Sequence, residues 1–174
     1  SNNNYLEGND GSNAGANAFE ATFSAGNQFV GNLANGSNYG FWLGYSHSGN
    51  VIRDNQVRAN NVNGIEIEHG QNNVIEGNEI VGNGGKGIVL RTDGVVHFPA
   101  EQFPCLMLPN QAASGGYTVR DNLIHNNLGN AIELIATTDS ALVNNLVGGQ
   151  IGGVGFASGS SNVWSIDPPQ PGPN

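Results

Sequence analysis

The sequence predicts an all-β fold, a right-handed single-stranded parallel β-helix (solenoid) of about seven coils, and three observations carry that prediction. An asparagine-led motif opens at Asn4, Asn27, Asn50 and Asn73, a constant spacing of 23 residues. Aliphatic residues recur at fixed offsets inside each unit. Charge is sparse, at 11%, and Gly abundant, at 27 residues, a profile that would suggest a disordered chain were it aperiodic. A strict period of this length marks a unit that cannot bury its apolar face alone and must stack on its neighbours.

Each unit reads as Asn, an aliphatic two residues on, a second Asn five on, an aliphatic seven on, then a Gly-led aliphatic-x-aliphatic strand about fourteen on. Every coil must return to the same azimuth and climb one strand spacing of roughly 4.8 Å, so equivalent positions stack. The second Asn gives the column Asn9, Asn32, Asn55, Asn78, Asn122 and Asn145, expected to form an amide ladder at a turn. Three inward columns form the expected core. They are Leu6, Phe29, Ile52, Ile75, Val119 and Leu142; Val57, Ile80, Ile124 and Val147; and the pairs Phe41/Leu43, Ile65/Ile67, Ile88/Leu90 and Ile132/Leu134.

After Asn73 the motif next opens at Tyr117, 44 residues on, which is one coil plus 21 inserted residues, and it opens again at Ser140. A last partial match runs from Asn162 to Trp164. The expected organisation is one β-helix domain over residues 1–167, with an insertion at 91–116 and a Pro-rich tail at 168–174 that blocks further strand pairing. Left-handed hexapeptide solenoids and leucine-rich repeats have other periods or consensus sequences and do not fit.

Five basic residues and a net charge of −9 argue against a nucleic-acid partner or an anionic membrane surface, both of which need clustered Lys and Arg. No run of 18 apolar residues exists, so membrane insertion is not expected. Cys105 is the single cysteine, which precludes an intrachain disulfide. The acidic, Asn- and Gly-rich composition points to an extracellular or cell-envelope location. A start at Ser1 and a first coil without a capping helix suggest a processed chain or a fragment, or subunits that associate through their solenoid ends.

The chemistry gathers on the Gly-led strand, where residues between the inward aliphatics face outward. One outward column reads Glu20, Trp42, Glu66, Val89 and Glu133, the next Thr22, Gly44, Glu68, Arg91 and Ile135, and beside them lie Phe23, Tyr45, His69 and Thr92. Carboxylates accept hydrogen bonds from sugar hydroxyls and flat rings pack on pyranose faces, so such a face suits a polysaccharide. Glu66, Glu68 and His69 are the catalytic candidates, because paired carboxylates about 6.5–9.5 Å apart can divide acid and base roles. Trp42, Tyr45, Glu20, Arg91, Asp93 and Glu133 are the substrate-binding candidates. The competing structural reading makes Glu68 and Arg91 an ordinary cross-strand ion pair.

The units from Asn50 to Gly94, NVIRDNQVRANNVNGIEIEHG and NVIEGNEIVGNGGKGIVLRTDG, resemble the repeats of the carbohydrate-binding and sugar-hydrolase (pectate-lyase-like) β-helix superfamily. The resemblance spans about residues 4–160 apart from the insertion. It implies the company of pectate and alginate lyases, polygalacturonases, mannuronan epimerases, phage tailspikes and a periplasmic accessory protein for copper sites. The polygalacturonase signatures NTD, DD, GHG and RIK and the epimerase DPHD-type motif are absent. A lyase would need a base, usually with calcium; Lys86 and Arg91 are the basic residues near the face, no cofactor is evident, and calcium stays open. Copper finds no ligand pattern in His47, His69, His97, His125 and Met107, so no metal ligands are assigned. The expected function is an extracellular, polysaccharide-engaging β-helix, with binding ranked ahead of cleavage. The alternatives are a structural subunit that stacks end to end into a filament, and a fragment of a polysaccharide lyase, epimerase or hydrolase.

Overall fold

The structure, a computed structural model, describes residues 1–45, 48–92, 113–149, 152–157 and 160–161, and the backbone of 164–166. His47, Asp93, His97, Cys105, Met107, the bulk of the insertion and the Pro-rich tail lie outside those residues. Every pairing between its strands is parallel. The chain is a β-solenoid of about six turns, slightly fewer than the seven expected. One face is a seven-stranded sheet, one a six-stranded sheet and one a four-stranded sheet, and a two-stranded strip fills a corner.

Register follows the 23-residue spacing: Phe29 pairs Ile52 and Ile52 pairs Ile75. Across the insertion Ile75 pairs Val119, so the column continues in register on its far side. The expected insertion bounds of 91–116 include residues of described strands. Arg91 still belongs to the strand Ile88–Arg91, and Ser114–Gly115 already pair with Thr137–Thr138. The last coil keeps the same 23-residue register, with Trp164 paired to Ala141 and Ser165 to Leu142, so the expected match from Asn162 to Trp164 stands one residue off the observed pairing.

The predicted inward columns are the core. Ile52, Ile65, Ile67, Ile75, Ile80, Ile88, Leu90, Ile124, Ile132 and Leu134 are fully buried, while Leu6 and Val147 pack at the margins of the same cluster. Phe19 stacks on Phe41 with ring centroids 4.9 Å apart, and Phe29 meets Phe41 edge-on at 5.7 Å. Aromatic rings thus dominate the core of the first two coils and branched aliphatics that of the later ones, with Tyr117 as the exception.

The corners explain the asparagines. Asn55 Oδ1 accepts from the backbone N–H and the Nδ2 of Asn32 at 2.8 and 3.0 Å. Its own Nδ2 donates to Asn78 Oδ1 at 2.9 Å and to the Phe29 carbonyl at 3.0 Å. Each buried amide therefore satisfies a backbone N–H and a backbone carbonyl of the preceding coil, groups that the turn leaves without ladder bonds of their own. Asn4, Asn27, Asn50 and Asn73 form a second ladder of the same kind. A third, which the sequence reading missed, runs through Ser37, Asn60, Asn83 and Asn127. Its members also lie 23 or 44 residues apart, so the signal was present in the sequence.

The residue before each ladder Asn turns the chain. Gly8, Gly31, Asp54, Gly77, Asp121 and Asn144 all have positive φ. That is the left-handed region, open to Gly at little cost and to Asn and Asp with local hydrogen bonding. The second ladder changes material after the insertion, where Tyr117 replaces Asn. Its buried hydroxyl lies 2.6 Å from Ser114 Oγ, and its N–H donates to Ser140 Oγ at 3.3 Å.

Candidate functional site

The outward face of the six-stranded sheet carries the expected columns in the expected register. Glu20 pairs Trp42, Trp42 pairs Glu66, Glu66 pairs Val89 and Val89 pairs Glu133. Beside them Thr22, Gly44, Glu68, Arg91 and Ile135 form the next column. Successive coils differ in chemistry. The second supplies Tyr39 and Trp42, the third the acids Glu66 and Glu68, the fourth the bases Lys86 and Arg91, and the fifth Glu133.

The two central glutamates face outward yet are nearly buried, at 6% and 8% side-chain exposure. Arg91 reaches across from the next coil and holds both: its Nε donates to Glu66 Oε1 at 2.8 Å and its Nη2 to Glu68 Oε1. Asn63 Nδ2 donates to the remaining Glu66 oxygen at 2.7 Å. Lys86 Nζ binds Glu133 at 2.6 Å, and Asn17 Nδ2 donates to Glu20 at 2.9 Å. Removing the cation from such a pair strands an uncompensated charge, so these carboxylates are anchored in place.

Trp42 is half-buried, and its indole lies along its own strand over Gly44. A Cβ added at Gly44 would stand 2.7 Å from the ring. Only a glycine leaves room for the ring to lie flat on the backbone.

Tyr39, on the rim of the same coil, was not singled out from the sequence. Burial pushes its hydroxyl above the usual value of 10.0, the Glu66 carboxylate pushes it further, Arg91 pulls it back, and Glu68 adds a smaller upward push. The signal that could have found it is a spacing of three. Asn17, Asn63 and Asn130 each precede and bond a glutamate of the face, and Tyr39 holds the same place before Trp42.

At the far end of these strands, Phe23, Tyr45 and His69 stack coil on coil. Centroids are 5.1 Å apart in both pairs, and the planes lie within 12° and 4° of parallel. All three have positive φ, a conformation costing a non-glycine residue of ordinary shape about 1–2 kcal/mol. Tyr45 and His69 are buried, so they wall the face and do not offer a surface.

Among the sequence-stated candidates, Glu66, Glu68, Arg91, Trp42 and Glu133 therefore share one contiguous patch, Glu20 lies exposed at its edge, and Asp93 falls outside the described residues. No group of three or more His, Cys, Asp or Glu among the described residues could hold a metal ion. His69 is stacked on Tyr45, and His125 Nδ1 lies 3.0 Å from Asn126 Nδ2 on the surface.

A family model described as the periplasmic copper-binding protein NosD matches residues 1–96, more than half of the sequence. The chain belongs to the NosD family. NosD is a right-handed parallel β-helix family, as the coils of this chain are. No curated protein sequence matches it. Among solved structures, the A-module of the mannuronan C-5 epimerase AlgE6 of Azotobacter vinelandii aligns with a TM-score of 0.37 and 16% identity, over 97% of this chain and 58% of that one. This chain thus spans somewhat more than half the length of that module's chain. The family's description names copper, and the described residues of this chain do not assemble a donor set for it.

Proposed function

We propose that the outward face of the six-stranded sheet binds a polysaccharide and does not cleave it. The observation that carries the reading is the indole of Trp42 laid flat over Gly44, one coil from two carboxylates clamped by Arg91. A flat ring beside fixed hydrogen-bond acceptors suits a pyranose, which has an apolar face and a rim of hydroxyl donors. Binding ranks ahead of cleavage because both acids needed for proton transfer are committed to one guanidinium, and freeing either breaks a largely desolvated ion pair. Calcium has no role in this reading, since the glutamates of the face are engaged by Arg91, Lys86 and amides. The periplasmic description of the family supports a cell-envelope or secreted location.

The test is retention on a panel of immobilised polysaccharides, with Trp42→Ala and Gly44→Ala compared against the parent chain. The first removes the platform and the second lifts the ring. Loss of retention in both, with unchanged circular dichroism, is the expected result. Equal retention of parent and variants, or no retention on any polymer, would defeat the reading.

A second reading, end-to-end assembly with another copy of this chain, has its own observation. A cavity of about 550 Å³ opens at the first coil, lined by Leu6, Ala21 and Phe29 among others. Light scattering decides it: a mass that grows with concentration supports stacking, and a constant monomer mass removes it.

A further inference from the structure

We infer that the glycan taken by this face is neutral, not a uronate polymer. The inference rests on the polysaccharide reading above and deepens it. Among the described residues the face carries Glu20, Glu66, Glu68 and Glu133 against Lys86 and Arg91, a net charge of −2 on a chain whose total is −9. Neither cation is disengaged. Arg91 spans Glu66 and Glu68, and Lys86 lies 2.6 Å from Glu133.

A uronate carboxylate seeking Arg91 would have to displace two glutamates that are under a tenth exposed, leaving both unpaired in a poorly solvated site. Elsewhere on the face it would meet carboxylates of its own sign. A neutral sugar meets neither obstacle. Its hydroxyls donate to glutamate oxygens already fixed by Arg91, Asn63 and Lys86, its ring packs on Trp42, and the ion pairs stay closed. Arg91 and Lys86 thereby act as positioning residues: they hold acceptors in place.

The experiment is calorimetric titration of the whole chain with cellohexaose and xylohexaose as neutral probes, oligogalacturonate and oligomannuronate of the same length as acidic ones, and a chitosan hexamer as a cationic one. Each titration is run at low and at high salt. A neutral hexamer is expected to bind at least about tenfold more tightly than either uronate, with an affinity that salt leaves unchanged. A uronate or the chitosan hexamer binding more tightly, or neutral binding that weakens steeply with salt, would overturn the inference while leaving a glycan site intact. Binding by no probe would overturn it together with the reading it rests on.

Discussion

Each coil turns at several points, and two kinds of turn can be set side by side. At the asparagine corners the left-handed positions hold Gly, Asp or Asn, with Ala59 as the one other residue type, and from Gly26 to Asn144 each is followed by a buried ladder side chain with its bonds filled. At the end of the six-stranded sheet the left-handed positions hold Phe23, Tyr45 and His69, and Ala136 farther along. The first kind places small residues where the backbone demands them and spends its side chains on hydrogen bonds. The second forces large rings into an unfavourable conformation and recovers part of the cost by stacking them, at about 0.5–1.5 kcal/mol per aromatic pair. Strain of that kind persists where surrounding structure over-determines it, and it gathers beside functional sites. Here it lies beside the patch of Trp42, Glu66, Glu68 and Arg91.

The comparison predicts a hierarchy of effects. Asn78→Ala should be the most damaging, because it removes the acceptor of the Asn55 N–H and the donor to the Ile52 carbonyl inside the core wall. A loss of about 4 kcal/mol is expected from several buried groups at about 1–3 kcal/mol each, read as the shift in a urea unfolding midpoint. A loss below 1 kcal/mol would mean the ladder is ornamental.

Arg91→Met comes next, at about 2 kcal/mol, after discounting for its partial exposure the cost of stranding Glu66 and Glu68. The control is Arg120→Met, whose bond to Glu76 lies on the outer face of the seven-stranded sheet with Arg120 half exposed. That change should cost under about 1 kcal/mol. Equal effects would erase the distinction between the two faces.

Gly77→Ala should cost about 1–2 kcal/mol, since φ is +64° and the new Cβ would lie 2.3 Å from Asp54 Oδ1. Tyr45→Gly is the converse. Relief of strain offsets only part of the lost stacking and burial, and a net loss of about 1–3 kcal/mol is expected in the same denaturation experiment.

The smallest effect is confined to alkaline pH and tests the ladder position where an aromatic stands in for Asn. Burial pushes the Tyr117 phenol well above its usual value of 10.0. A raised folded value means that the stability it confers is complete below the unfolded value and declines as pH rises beyond it. Unfolding curves of the parent chain should therefore weaken above pH about 10 relative to Tyr117→Phe, which lacks the titrating group. Parallel pH profiles would show that Tyr117 ionises freely.

Period and columns were legible in the sequence because a solenoid repeats its constraints: whatever Asn55 must do, Asn32 and Asn78 must do again one coil away. The alignment of the last coil was misplaced by one residue at Trp164, since a single weak match there has no following unit to correct it. Nor was the short strand of Ser114 and Gly115 legible, because those residues carry no motif and are defined by pairing with Thr137 and Thr138.

The candidate site divides in the same way. The sequence by itself determined that Glu66, Glu68, Trp42 and Arg91 face outward on one sheet, because alternation along a strand and stacking between coils leave no other placement. Only the tertiary structure decided that Glu66 and Glu68 are buried, that one guanidinium closes on both, and that the indole lies down over Gly44. Those are choices of side-chain direction and solvent exclusion between neighbouring coils. A repeat pattern fixes where a Cα stands and leaves open where the end of a long side chain goes.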